Sequence, residues 1–412
     1  AIAWGKARGI HVCVALSFAP GYGVNAPKSP PDAGALDLWG DGATGDEARR
    51  QFAAQWRMLA ERYRGTDSAH LSFNLVNEPP RISGARYLRT ARAAVDAIRA
   101  VDAGRLVIAD GASWGREPVP ELGSLGVAQS TRGYAPFQLS HYAADWMERS
   151  TEWPEPVWPI PPSLNAHVYG PWKREWHRPL VLRGNFEPGP LAITVQHVSA
   201  RAVLVLSADG VEVLRHAFVP GPGVGAWRHS EYVAEYGIHA ATYGTRHVAT
   251  LTKPAREIRV EVVDGDWLSF SELRIGTRTF AAHDLTWGVP QGDYTVDPSG
   301  APTGMSERGR TEAATLFARH VEPWARFARD ARVGVHVGEW GVYRETPHDV
   351  ALSWMRDCLD NWRRVGFGWA LWNLRGPFGV CDSERKDVSY EPYAGHRLDR
   401  RMLEVLVADT PS

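Results

Sequence analysis

Two kinds of apolar patterning divide this chain. In the first, apolar residues recur every three or four positions: Phe52, Trp56, Leu59 and Tyr63 within 47–64, and Tyr87, Ala91, Val95 and Ile98 within 86–101. Val350, Trp354, Cys358 and Trp362 repeat the spacing after Pro347, as do Leu316, Phe317, His320, Trp324 and Phe327 around Pro323, where a kink is expected. Each set lies on one face of a helix, and 398–407 reads as a last one. Between these helices sit short apolar runs at 10–16, 71–76, 106–109, 137–140, 333–337 and 367–371, the pattern of strands buried on both faces of a parallel sheet. Strands alternating with helices predict an α/β barrel.

The second pattern is strict alternation, at 191–198, 202–218 and 257–275, with Asp209-Gly210 as a hairpin signal. Short strands with glycine turns and no helical stretch predict an antiparallel β-sandwich, jelly-roll-like, inserted into the barrel. Its hinges are the Pro-rich 153–162 and the exit near Asp284, which gives domains at 1–150, 151–282 and 283–412.

Candidate chemistry sits where the barrel strands end. The run 71–76 stops at Asn77-Glu78-Pro79. Proline lacks an N–H for the sheet and disfavours helix in the residue before it, so Glu78 is expected in an extended turn at a strand tip. The run 333–337 enters Gly338-Glu339-Trp340 in the same way. Strand tips on the carboxyl face of a parallel barrel line its active site, and two glutamates placed there match the nucleophile and acid/base of a retaining glycosidase.

With NEP at 77–79 and GEW at 338–340, and with APGYGVN at 19–25, RGYAPFQLSHY at 132–142 and WALWNLRGPFG at 369–379, the chain resembles glycoside hydrolase family 5, the cellulase-like (β/α)8 barrels. The resemblance implies Glu78 as acid/base at the fourth strand and Glu339 as nucleophile at the seventh, with no cofactor and no metal. It also implies substrate contacts from Asn77, Tyr22 and Trp372, and from Trp114, which either lines a subsite or anchors a loop. A histidine and tyrosine close the family's sixth strand, with the tyrosine holding the nucleophile. Here they are His141 and Tyr142, or else His167 and Tyr169. APGY follows the third strand in that family, so the expected fold is a (β/α)8 TIM barrel lacking its first two strands in this sequence, a truncated piece with the sandwich inserted. Glu78 and Glu339 are 261 positions apart, where three β/α units need roughly 100, and the surplus is the insert. The insert resembles carbohydrate-binding modules: Trp227, Tyr232, Tyr236, Tyr243 and Trp267 are either sugar platforms or parts of a structural lid. Ser17 and Phe18 stand where the family has histidine and arginine, and that departure keeps a sugar-binding barrel that no longer cleaves in view.

Composition narrows the partners. A formal charge of −1 excludes the basic excess of nucleic-acid binders, and no stretch has the length of a membrane span or the form of a signal peptide. The partner that the family resemblance implies is a β-glucan or related oligosaccharide, acted on by a monomer expected to be secreted or periplasmic, with a β-mannanase or transglycosylase as alternatives. The 18 tryptophans suit sugar faces, while several are expected in the core, with Trp369 read as barrel filling. Cys13, Cys358 and Cys381 have neither disulfide nor zinc spacing, and Cys13 and Cys358 read as small core residues. Asp382, Arg385 and Asp387 read as paired surface charges.

Overall fold

The computed structural model describes residues 2–24, 34–147, 150–160, 163–283, 287–296, 302–303 and 313–408. The chain forms two compact units, 1–156 with 316–412 and, between them, 157–315. The second boundary falls later than the 282 expected, because Asp293–Val296 pairs in parallel with Leu180–Phe186 and belongs to the inserted unit.

The first unit is built on six parallel strands in spatial order: β1 (Val12–Ala15), β2 (Leu71–Asn74), β3 (Leu106–Asp110), β4 (Ala128–Arg132), β5 (Val335–Trp340) and β6 (Gly368–Leu371). Helices α1 (Gly42–Arg62), α2 (Gly84–Arg99), α3 (Glu322–Ala331), α4 (His348–Arg364) and α5 (Arg400–Val407) connect or follow them. This is an α/β architecture with a parallel, half-barrel sheet. β2 is buried at all four positions, as its apolar run predicts. The predicted stripe of α1 packs there: Phe52 and Trp56 are fully buried, and the Trp56 Nε1–H donates to the Leu75 carbonyl at 3.1 Å. Ser83 caps α2 by accepting from the Arg86 N–H, and Asp399 caps α5 by accepting from the Met402 N–H. Before α3 a π-turn, Phe317–Val321, stands where the Pro323 kink was expected.

Four expectations need correction. Residues 137–140 form a short helix, Phe137–Ser140, and the strand in the sixth place is the polar stretch AQSTR of β4. Its side chains are satisfied within the fold, with Gln129 both accepting from the Val119 N–H and donating to the Val119 carbonyl. Cys13 is exposed on the outer strand β1, while Cys358 is buried as expected. Trp369, read as barrel filling, lies part-exposed on the other outer strand. Arg385 is buried, donating to the carbonyls of Val342, Tyr343 and Thr346.

The inserted unit is antiparallel, centred on two long strands, Gly189–Ala208 and Ala255–Ile275, that pair along most of their lengths through several register shifts. Asp209 and Gly210 both take positive φ and close the hairpin to Val211–Phe218, as the dipeptide predicts. Of its candidate platforms, Tyr232 and Tyr236 are exposed and Trp227 and Trp267 half-buried, whereas Tyr243 is buried against Phe218 and cannot present a face. The expected exit Asp284 lies outside the described residues.

Candidate active site

All six strands of the first unit run parallel, so their carboxyl ends converge on one side of the sheet. β2 delivers Asn77 and Glu78 there, β3 Asp110, β4 Arg132, and β5 Glu339. Glu78 is not extended but left-handed, with φ +50°. Such a conformation in a non-glycine residue persists only where its surroundings hold it. Here the Glu78 N–H donates to Asp110 Oδ2 at 2.9 Å and its carbonyl accepts from the Tyr22 hydroxyl.

Arg132 is the hub, with its side chain 5% exposed. Its Nε donates to Glu78 Oε1 at 3.0 Å and lies 3.9 Å from Glu339 Oε2. Those two carboxylate oxygens therefore cannot be farther apart than the sum of the distances, about 6.9 Å. Nη2 donates to Asn77 Oδ1 at 2.8 Å and to Asp110 Oδ2. Asp110 is fully buried and also accepts from Asn74 Nδ2 at 2.8 Å. Two glycines make room for the hub. A Cβ at Gly338 would sit 2.1 Å from Ser130 Oγ and 3.3 Å from Arg132 Nη1, and one at Gly133 would meet the Trp362 ring at 2.6 Å.

Charge follows from this packing. Burial raises the Glu339 carboxyl to about 7, with Arg132 opposing and Glu78 adding to the rise. Burial raises Glu78 as well, again against Arg132. Burial works against the Arg132 charge, but Asp110, Glu339 and Glu78 more than restore it. Two carboxylates this close share protons as a pair.

Tyr134 Oη donates to Glu339 Oε1 at 2.8 Å. This corrects the expectation for the sixth strand: the tyrosine that holds Glu339 is Tyr134, beyond β4, and not Tyr142. His141 is buried, stacked on Phe137 at 4.7 Å and edge-on to Tyr134 at 4.9 Å, and burial lowers its pKa to about 4, which leaves it neutral packing. Tyr142 is half-buried beside it in the turn after the short helix. The alternative pair falls in the inserted unit, on strand His167–Tyr169 paired with Ala255–Ile275, so neither residue belongs to this sheet.

The aromatic candidates divide. Trp372 follows β6 and is 49% exposed, its N–H donating to the Trp340 carbonyl. Trp114 is 40% exposed, in a left-handed turn whose N–H reaches the Pro79 carbonyl, so its backbone is tied to the Glu78 loop. Tyr22 is half-buried, edge-on to Trp39. Sequence reasoning missed Asp110, Arg132, Tyr134 and the exposed Trp146, whose ring meets Tyr343 at 4.8 Å. The quoted stretch at 132–142 contained two of these, but the expected strand, 137–140, begins nine residues after the observed one, Ala128–Arg132. Among the described residues, no group of His, Cys, Asp or Glu could hold a metal ion.

Residues 2–136 match the cellulase family, glycosyl hydrolase family 5. The match includes Asn77, Glu78, Asp110, Arg132 and Tyr134, while Glu339 and Trp372 lie beyond it. Endoglucanase 1 of Robillarda sp. (strain Y-20) is 36% identical over 93 residues, 22% of this chain and 23% of that protein, so the chain matches less than a quarter of this curated relative. A solved crystal structure of a glycoside hydrolase aligns over 99% of this chain and 78% of its own, at 24% identity and a TM-score of 0.57. That likeness carries the fold alone.

Proposed function

We propose that the protein hydrolyses β-glycosidic bonds of a β-glucan, cellulose-type or mixed-linkage, with retention of configuration. The observation that carries this is the approach of Glu78 and Glu339 to one guanidinium nitrogen, within about 6.9 Å of each other. That ceiling admits the roughly 5–5.5 Å separation of retaining enzymes and only the lowest part of the roughly 6.5–9.5 Å that inverting ones need to admit a water. Glu339, oriented by Tyr134, attacks the anomeric carbon as the bond to the leaving oxygen breaks, and that oxygen takes the proton of Glu78. Glu78 then removes a proton from water, whose oxygen displaces the Glu339 carboxylate.

Asn77 has its Oδ1 occupied by Arg132, so it offers its Nδ2 to the sugar 2-hydroxyl. The exposed ring of Trp372 stacks on the sugar at the scissile bond, with Trp114 and Tyr22 at the rim. Exposed Tyr232 and Tyr236 support a sugar-binding role for the inserted unit. Polymeric glucans do not cross membranes, and on that ground the proposal includes work in the periplasm or outside the cell, by a monomer.

A second reading, a barrel that binds glucan without cleaving it, draws on exposed Ser17 and on the direct ion pair between Arg132 and the proposed acid. Release of reducing ends from cellulosic glucan, mixed-linkage glucan and mannan, by wild type, Glu339→Ala and Glu78→Ala, separates the two. Activity lost in both variants, with a first-formed β-anomer, supports the enzyme. Binding without cleavage by the wild type refutes it.

A further inference from the structure

The ion pair between Arg132 and Glu78 is unexpected in a site that needs Glu78 protonated before it can act. A guanidinium in contact with a carboxylate favours its ionised form, commonly by one to three pH units. Arg132 does not treat the two carboxylates alike. It makes a charge-assisted bond to Glu78 at 3.0 Å and lies 3.9 Å from Glu339, whose own bond comes from the neutral Tyr134 hydroxyl. The guanidinium cannot easily turn away, because Asp110 and Asn77 hold Nη2, Ser130 Oγ accepts from Nη1 at 3.1 Å, and Gly338 leaves the space it fills.

We propose that Arg132, braced by Asp110, is the positioning residue that decides which carboxylate carries the pair's shared proton, keeping Glu78 ionised and leaving the proton on Glu339 in the unliganded protein. The inference rests on the glycosidase reading for its consequence: the cleaving form needs that proton on Glu78, so it is the minority form until a sugar occupies the cleft. No proton is gained or lost in the exchange, since what one carboxylate releases the other takes up.

Other charged and titratable groups face the pair. Tyr22 reaches Glu78 from the hairpin after β1, Arg116 from the turn after β3, Asp110 from β3, and Tyr134 from beyond β4. Behind them Cys13 and Tyr87 face Asp110, and His336 on β5 lies near both Asp110 and Arg132. Burial holds His336 below its ordinary pKa, so it adds no charge at neutral pH. Arg116 is exposed and reaches Glu78 only through its field, which leaves Arg132 the one cation hydrogen-bonded to either carboxylate among the described contacts.

Carbon-13 NMR titration of protein labelled at the glutamate carboxyl carbon reads the proton directly, with Glu78→Gln and Glu339→Gln to assign the two signals. In the wild type Glu339 is expected to titrate at the higher pH. In Arg132→Met the Glu78 signal is expected to move up by one to three pH units, and in Arg132→Lys, which keeps the charge, by much less. Arg132→Met leaves Asp110 without its cation. Arg132→Met/Asp110→Asn therefore serves as the variant that removes both buried charges, with a smaller upward shift expected. A Glu78 signal unmoved in a folded variant, or moved equally by Lys and Met, overturns the proposal, as does a wild type in which Glu78 titrates last. If the wild type cleaves no glucan, the glycosidase reading fails while the titration still decides the role of Arg132. If it cleaves, Arg132→Met is further expected to shift the pH profile of kcat/KM upward, which a purely structural role would not do.

Discussion

The raised Glu339 carboxyl should make the protein less stable than it could be, and Glu339→Gln measures by how much. The side chain lies on β5, 15% exposed, with its pKa lifted from 4.5 to about 7, mainly by burial. A carboxyl whose folded pKa lies above its unfolded one is better protonated in the folded state. Stability is therefore lost as pH rises from 4.5 towards 7, and the whole penalty stands above that. The lift of about 2.5 units, at 1.36 kcal/mol per unit, corresponds to about 3 kcal/mol. Glutamine has nearly the same shape, keeps an acceptor for the Tyr134 hydroxyl and carries no charge. The variant should exceed wild type by only about 1 kcal/mol at pH 5 but by about 3 kcal/mol at pH 8, the latter roughly 6 °C in Tm for a unit of this size. Scanning calorimetry of both proteins at the two pH values checks it. An equal difference at both, or a larger one at pH 5, would refute the argument that a desolvated charge is the cause.

Tyr134→Phe removes the donor to Glu339 and should cut kcat/KM at neutral pH by ten- to a hundred-fold, the weight of one hydrogen bond to a charged group, about 1.5–3 kcal/mol. A pH–rate profile with the nucleophile restored at higher pH is the check. Trp372→Ala should raise KM on oligosaccharides and leave Tm within about a degree, because the ring is half exposed and the hydrogen bond to the Trp340 carbonyl comes from the backbone N–H, which alanine keeps; steady-state kinetics and a melt read both. Gly338→Ala should destabilise the first unit by about 1–3 kcal/mol, since its Cβ would collide with Ser130 Oγ; denaturant unfolding would show it.

The apolar pattern by itself determined the helices and five of the six strands of the first unit: β2, β3 and β5 lie inside a parallel sheet whose burial demands continuous apolar runs, and the outer β1 and β6 carry such runs although they are part-exposed. It also determined the change of architecture within the insert, where alternation follows from a strand with unlike faces. The two glutamates were legible for the same reason: each ends an apolar run, and Pro79 or Trp340 marks the stop. β4 was not legible. AQSTR carries no apolar residue beyond Ala128, and only the tertiary structure brings up Val119 and Gly115, which satisfy Gln129 and Thr131, and holds Arg132 where it donates to Ser130. Misplacing that strand moved the expected tyrosine from 134 to 142 and hid Arg132. The left-handed Glu78 was out of reach for a related reason. The proline rule excludes helix, but the choice between extended and left-handed backbone came from Asp110 and Tyr22, which lie 32 and 56 residues away in the chain. Which side chains a strand places at its tip is local. Which charges meet there, and how they divide a proton, depends on the strands that lie beside it.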